Sequence, residues 1–253
     1  MNSFYEHRRD TNEKITVLSG GHFVFPAHFH HHLELFIMKK GNISISCNGK
    51  NYDLNDGSIA FFNSYNIHSY FAQPSAILGY CIIIPTECAV NFTKRNKNKS
   101  IISPVIRKEK LCDEIYDLVQ RYLISNDSED IKNNCIELIL SLIEKHLNFI
   151  PTKSDEQTTT LVKKILMYIN DNFKSDVSLK TLSKILGYSD AHISRIFSLY
   201  VKKSLPDYVN ELRFKEVNRL IENTNGKITD LIFDAGFNSI QTYYRVKSKL
   251  TKN

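Results

Sequence analysis

The 253-residue sequence lacks a cysteine framework: Cys47, Cys81, Cys88, Cys112 and Cys135 are odd in number and none has a close partner. That excludes a disulfide-stapled fold and a zinc knuckle. Long apolar runs are missing too. Stretches such as Tyr80 to Ile84 are far too short to span a bilayer, and the opening MNSFYEHRRD lacks the apolar core of a secretory signal. A cytoplasmic protein with no membrane contact is expected. What the chain does have is a net charge of +6, unevenly spread. From Ser154 onward 16 Lys+Arg face 11 Asp+Glu, whereas the first 153 residues hold 17 against 16. The basic excess suits phosphate contacts, though a solvated lysine-rich surface has the same composition. The length and the 42% hydrophobic content suffice for two domains with real cores.

The segment Leu182 to Phe197, LSKILGYSDAHISRIF, returns in altered form at Leu231 to Val246, LIFDAGFNSIQTYYRV. In each copy a short apolar helix pattern ends at glycine-aromatic, Gly187-Tyr188 and Gly236-Phe237. A second helix carrying an arginine follows. Glycine permits the positive backbone angle of a tight turn, and Ser189 or Asn238 can cap the next helix. These are signs of two helix-turn-helix units. Close helix crossing also wants a small residue four before the glycine and an apolar one six after it. Ser183 and Ile193 satisfy this in the first copy, while Ile232 and Thr242 fit less well. Between the copies, Ser204 and Pro206 open a helix that runs to about Asn223, before Asn225-Gly226.

Upstream, Phe23 to Phe25, Leu33 to Met38, Ile43 to Cys47, Ser58 to Phe62 and Ile77 to Ile84 read as strands between turn signals. They argue for an antiparallel barrel or sandwich. Lys94 to Ser100 reads as a polar basic loop. Two helical stripes then appear, one of Leu111, Ile115, Leu118, Val119 and Tyr122, the other of Ile131, Cys135, Leu138, Ile139, Leu142 and Ile143. Each is either internal core or a dimer seam. Pro151 to Thr160 lacks apolar content and reads as a linker. The expected fold is α+β with two domains: an antiparallel β-barrel over 1–92 with a helical pair over 104–150, a linker over 151–160, and an all-α double helix-turn-helix domain over 161–253.

In this order the chain resembles the AraC/XylS family of transcription regulators. The residues that carry the likeness are Leu182, Gly187-Tyr188-Ser189, Ser194-Arg195-Ile196-Phe197, Tyr208, Leu212-Arg213, Leu220, Asn223-Thr224, Ile228, Gly236-Phe237-Asn238-Ser239 and Arg245-Val246. The resemblance implies DNA contacts at Ala191, Ser194 and Arg195 in the first unit and Gln241, Thr242 and Arg245 in the second, beside the helix-opening Ser189 and Asn238. Each set lies on one helical face, and Arg can bond guanine while Gln bonds adenine in the major groove. It further implies double-stranded DNA and RNA polymerase as partners, a homodimer, activation more often than repression, a small-molecule effector, and no cofactor. The sequence departs from the family at Lys202, where glycine is usual, at Ile232 and Val217, where alanine is usual, and at Lys247, where phenylalanine closes the second unit. From these departures a looser, weaker second unit is expected.

The N-terminal half is similar to a cupin sensor domain. Gly21, His28-Phe29-His30, Glu34 and Gly41 approximate one cupin motif, and Gly57 with His68 the other, with Asn63 and Tyr65 replacing its proline and glycine. Strand alternation is expected to place His28, His30 and Glu34 on one inward face, where His68 meets them from another strand. The set suits a metal ion, a polar effector pocket or a structural hydrogen-bond role. His31 is expected to point outward and His32 inward. Two other functions compete: a metal-dependent cupin enzyme with a helical scaffold, and a regulator that acts by protein contact after decay of its second DNA-reading unit.

Overall fold

The computed structural model describes residues 3–6, 9–20, 23–71, 77–97, 99–151 and 161–251. Gly21 and positions 152–160 of the expected linker fall outside them. The chain forms two compact units, residues 1–156 and 157–253.

The first unit carries strands β1 (Phe4–Tyr5), β2 (Thr16–Ser19), β3 (Phe25–Phe29), β4 (Leu33–Lys40), β5 (Ile43–Cys47), β6 (Lys50–Leu54), β7 (Ser58–Phe62), β8 (His68–Phe71) and β9 (Leu78–Ile84). Helix α1 (Val90–Arg95), strands β10 (Lys99–Ile101) and β11 (Val105–Arg107), helices α2 (Glu109–Leu118) and α3 (Glu129–Glu144), and strand β12 (Phe149–Pro151) follow. One sheet runs β1-β3-β8-β5-β6 and the other β11-β7-β4-β9-β2, with β1–β3 the parallel pair and the remaining ladders antiparallel. The expected barrel is thus two open sheets, because among the described residues no ladder joins one to the other. Their facing surfaces share one apolar core, with Phe36, Met38, Phe62 and Ile83 on one side and Ile43, Ile45, Leu54 and Tyr70 on the other.

β4 divides the unit. Leu33, Leu35 and Ile37 face a second core built with α1, α2 and α3, while Phe36 and Met38 face the sandwich interior. A strand covered on both faces reads as a nearly continuous apolar run, which explains LELFIM. Both helical stripes serve this core, but α3 buries Cys135, Ile136, Ile139, Leu140 and Ile143 and leaves Ile131 and Leu138 exposed. The stripe read from the sequence is therefore rotated by about one residue, 100° on a helix. The expected basic loop at 94–100 is also corrected. Lys94 and Arg95 end α1, and the buried Asn96 donates to Phe92 O and to Glu144. Pro151, assigned to the linker, pairs with Lys99 in the β10–β12 ribbon.

The second unit contains α4 (Leu161–Asn172), α5 (Leu179–Leu186), α6 (Asp190–Val201), α7 (Leu205–Asn223), α8 (Ile228–Asp234) and α9 (Ile240–Leu250). Gly187, at φ 74°, turns α5 into α6, and Gly236, at φ 94°, turns α8 into α9. Ser189 caps α6 by accepting from the His192 amide. In the second copy the cap is Ser239, which accepts from Thr242 N, and not Asn238. Two adjacent residues of capping type left that choice open to a one-residue shift.

Lys202 closes α6 in the left-handed region, at φ 59°. This is the position where the family places glycine, and the side chain there is strained by roughly 1–2 kcal/mol. Lys202→Gly is expected to raise stability by about 1 kcal/mol, part of the strain relief being offset by the freer unfolded chain. Thermal unfolding of the two proteins tests this, and a lower midpoint for the glycine variant refutes it. The expectation of a loosened second unit finds no support in the packing. Ile232 and Val217 are both fully buried and share a core with Ala235, Phe237 and Tyr243. Two enlarged side chains fill the space together.

Candidate functional site

His28 sits at the end of β3, His30 in the connection that follows, Glu34 on β4 and His68 at the start of β8. His28, His30 and Glu34 therefore do not meet along one shared strand, against the expectation from strand alternation. His28 and His68 are cross-strand partners in one sheet, and Glu34 reaches them from the opposing sheet. All four are buried, and their ligand-type atoms lie within 4.8 Å of one another.

Each imidazole is oriented by the backbone. Nδ1 of His28 lies 3.0 Å from Pro26 O, that of His30 2.9 Å from His32 O, and that of His68 2.8 Å from Asn66 O. A carbonyl oxygen only accepts, so Nδ1 carries the proton in all three rings. The three Nε2 atoms then face Glu34. His30 Nε2 is 3.0 Å and His68 Nε2 3.4 Å from Oε2. The other carboxylate oxygen, Oε1, accepts from the Tyr70 hydroxyl and, at 3.2 Å, from the Cys81 thiol. Glu34 thus commits one oxygen to Cys81 of its own sheet and Tyr70 of the opposing one, and the other to the histidines.

Burial raises the Glu34 carboxyl, but His68 and His30 outweigh it and hold the group well below the usual carboxylate range. Burial lowers His30, and Glu34 outweighs that, leaving it raised. Burial and the neighbouring His68 push His28 down to about 2, so this ring is neutral. Burial, then Glu34, pushes Tyr70 and Cys81 well up, keeping both protonated as donors.

The N-terminal segment, which the sequence reading missed, covers the cluster. Glu6 Oε2 lies 3.4 Å from His28 Nε2, and Arg9 bonds Glu6 at 2.8 Å and stands 3.9 Å from Glu34 Oε2. Asp10 accepts from the backbone amides of His31 and His32. No apolar period marks this stretch; the acidic and basic residues of SFYEHRRD were its signal. His32 is buried as expected but does not join the cluster, because its Nε2 faces Asn12 O at 2.9 Å. His31 is half-buried, with Nε2 3.0 Å from Thr86 Oγ1, and does not point outward.

In the second unit Ala191 and Arg195 are exposed on α6, with Ser194 half-buried beside them. On α9 Gln241 and Arg245 are exposed and Thr242 is half-buried, its hydroxyl 2.9 Å from the capping Ser239 Oγ. Asn238 is exposed in the turn and Ser189 is exposed at its cap. Among the described residues neither Arg195 nor Arg245 forms an ion pair, unlike Arg219, which bonds Glu216. Arg213, a residue of the family resemblance, is instead internal: it donates to Phe173 O at 2.7 Å and Ser175 O at 2.8 Å. The AraC-like ligand binding domain family matches residues 17–136, and a helix-turn-helix domain family matches residues 182–252. The chain belongs to the AraC family of transcription regulators. Relatives of this AraC-family chain include the uncharacterized HTH-type transcriptional regulator YbfI of Bacillus subtilis, 25% identical, covering 84% of this chain and 79% of that protein. The HTH-type transcriptional activator RhaS of Mannheimia succiniciproducens is 21% identical over 85% of this chain and 82% of its own length. The chain spans only 29% of a third relative, a Staphylococcus aureus regulator. Among solved structures, the AraC-like transcriptional activator CuxR has a TM-score of 0.46 at 13% identity, covering 81% of this chain and 72% of its own. ToxT from Vibrio cholerae has 0.44 at 13% identity, covering 92% and 93%.

Proposed function

We propose that the protein is a sequence-specific DNA-binding regulator whose N-terminal unit binds an effector at His28, His30, Glu34 and His68. The observation that carries this reading is the pair of helix-turn-helix units, each presenting an exposed arginine with no ion pair among the described residues. An arginine held by an internal carboxylate would have to give up that partner before reaching a base. Base contacts are assigned to Ala191, Ser194 and Arg195 on α6 and to Gln241, Thr242 and Arg245 on α9, with Ser189 and Asn238 at the turns. In this reading the protein works in the cytoplasm as a homodimer and activates transcription in contact with RNA polymerase. The exposed Ile131 and Leu138 on α3 support self-association. An enzymatic role would leave both DNA-reading units idle, and the filled core around Ile232 supports a packed second unit.

Electrophoretic mobility shifts against the gene's own upstream region test the reading. Arg195→Ala should weaken specific binding by about 1–3 kcal/mol, and Arg245→Ala by a comparable amount, with a much smaller effect on scrambled duplex. Equal losses on cognate and scrambled DNA would show that these arginines hold phosphates only.

A further inference from the structure

We propose that the effector taken by the N-terminal site is a divalent transition-metal cation, held by Nε2 of His28, His30 and His68 and by Oε2 of Glu34. This rests on the reading of that site as a sensor. The backbone carbonyls hold Nδ1 of all three rings, so that Nε2 of each points inward. Such fixing of the far ring nitrogen orients a ligating histidine and raises its basicity. A proton shared between His30 and Glu34 satisfies one of the three nitrogens. Among the described residues His28 Nε2 and His68 Nε2 are left buried without a hydrogen-bond partner. Each of these nitrogens stands 3.4 Å from a carboxylate oxygen, His28 Nε2 from that of Glu6 and His68 Nε2 from that of Glu34. Buried polar atoms that face one another without a hydrogen bond are costly, and a cation between each nitrogen and oxygen satisfies both.

The donor set decides the class of cation. Three imidazoles and one carboxylate oxygen suit zinc, iron, cobalt or nickel, not the all-oxygen coordination of calcium or magnesium. Ligand distances of about 2.0–2.2 Å put four tetrahedral ligand atoms about 3.4 Å apart, so the widest pair of the 4.8 Å spread closes by about 1.4 Å on binding. Glu34 binds through a single oxygen, because Tyr70 and Cys81 hold Oε1. Glu6 is placed to add a second carboxylate. Arg9, 3.9 Å from Glu34 Oε2, competes with the ion for the same charge.

The full-length protein, stripped with a chelator, is dialysed against zinc and, separately, titrated with cobalt(II) while its visible d–d absorption is recorded. One ion per chain and a cobalt spectrum with nitrogen ligation are expected. His30→Ala and His68→Ala should each weaken binding by more than the roughly 10–100-fold typical of losing an outer-shell partner. Cys88→Ser, whose thiol lies near Glu13 O away from the cluster, should keep full stoichiometry. Arg9→Gln should tighten metal binding, whereas it would weaken the binding of an organic anion. Substoichiometric zinc, no cobalt d–d bands, or undiminished affinity in both histidine variants overturns the proposal. If the variants fail to fold, the wild-type stoichiometry and cobalt spectrum decide. Mobility shifts run in parallel should show zinc changing DNA affinity by roughly 5–150-fold. One bound ion with unchanged DNA affinity overturns the effector role and leaves the DNA reading intact. Absence of sequence-specific DNA binding with and without zinc overturns the regulator reading instead.

Discussion

Replacing Gly236 by alanine should destabilise the C-terminal unit by about 2–5 kcal/mol and abolish tight DNA binding. Two costs add at this position. The residue lies at φ 94°, where an L side chain loses roughly 1–2 kcal/mol. A Cβ there would also stand 2.6 Å from Lys174 Cα and Lys174 O, backbone atoms that cannot swing aside. Overpacking of this kind costs about 1–3 kcal/mol more. Gly187, at the equivalent turn of the first copy, pays only the first cost, because nothing lies within 4 Å of its added Cβ. Gly187→Ala should therefore lose about 1–2 kcal/mol. Urea titrations of the full-length proteins, followed by far-ultraviolet circular dichroism, measure both. Equal losses would mean that the Lys174 backbone relaxes and that the close approach carries no energy.

Glu34→Ala should destabilise the N-terminal unit by about 3–5 kcal/mol, the usual cost of removing one partner from a buried charged network. The carboxylate is fully buried and serves Tyr70, Cys81, His30 and His68 at once, with Arg9 at its edge. Glu34→Gln keeps an acceptor for Tyr70 and Cys81 and should lose less. Near-ultraviolet circular dichroism of the tyrosine-rich sandwich, followed during thermal unfolding, reads the difference. A loss below about 1 kcal/mol in the alanine variant would show that the histidines and the tyrosine repartner without it.

The paired helix-turn-helix units were legible because their signals are local: a glycine with positive φ, a serine three residues before the amide it caps, and apolar spacing on one face. The four-residue site was legible from its motif spacing alone. The geometry that unites it was not, because His30 lies beyond the end of β3 and Glu34 belongs to the other sheet. Strands β6 and β8, KNYDL and HSYF, escaped because β6 has a single fully buried apolar residue, Leu54, and β8 buries His68 and Ser69 while exposing Phe71. Glu6 and Arg9 sit beside a two-residue parallel strand, too short to leave a period. Arg213 carried the family likeness without a role read for it, and only its bonds to Phe173 O and Ser175 O reveal a clamp on the chain just after α4.

The two-sided character of β4 limits how this protein can diverge. Odd-numbered positions from Leu33 to Ile37 belong to the helical layer, and the even-numbered Glu34, Phe36 and Met38 to the sandwich. Substitution alters one compartment at a time. Inserting or deleting one residue upstream in the strand reverses the parity of everything after it, driving the carboxylate into an apolar layer and leucine-sized side chains among the histidines. Exchanges of side chain at fixed length therefore preserve both layers, and a change of length preserves them only in the turns on either side.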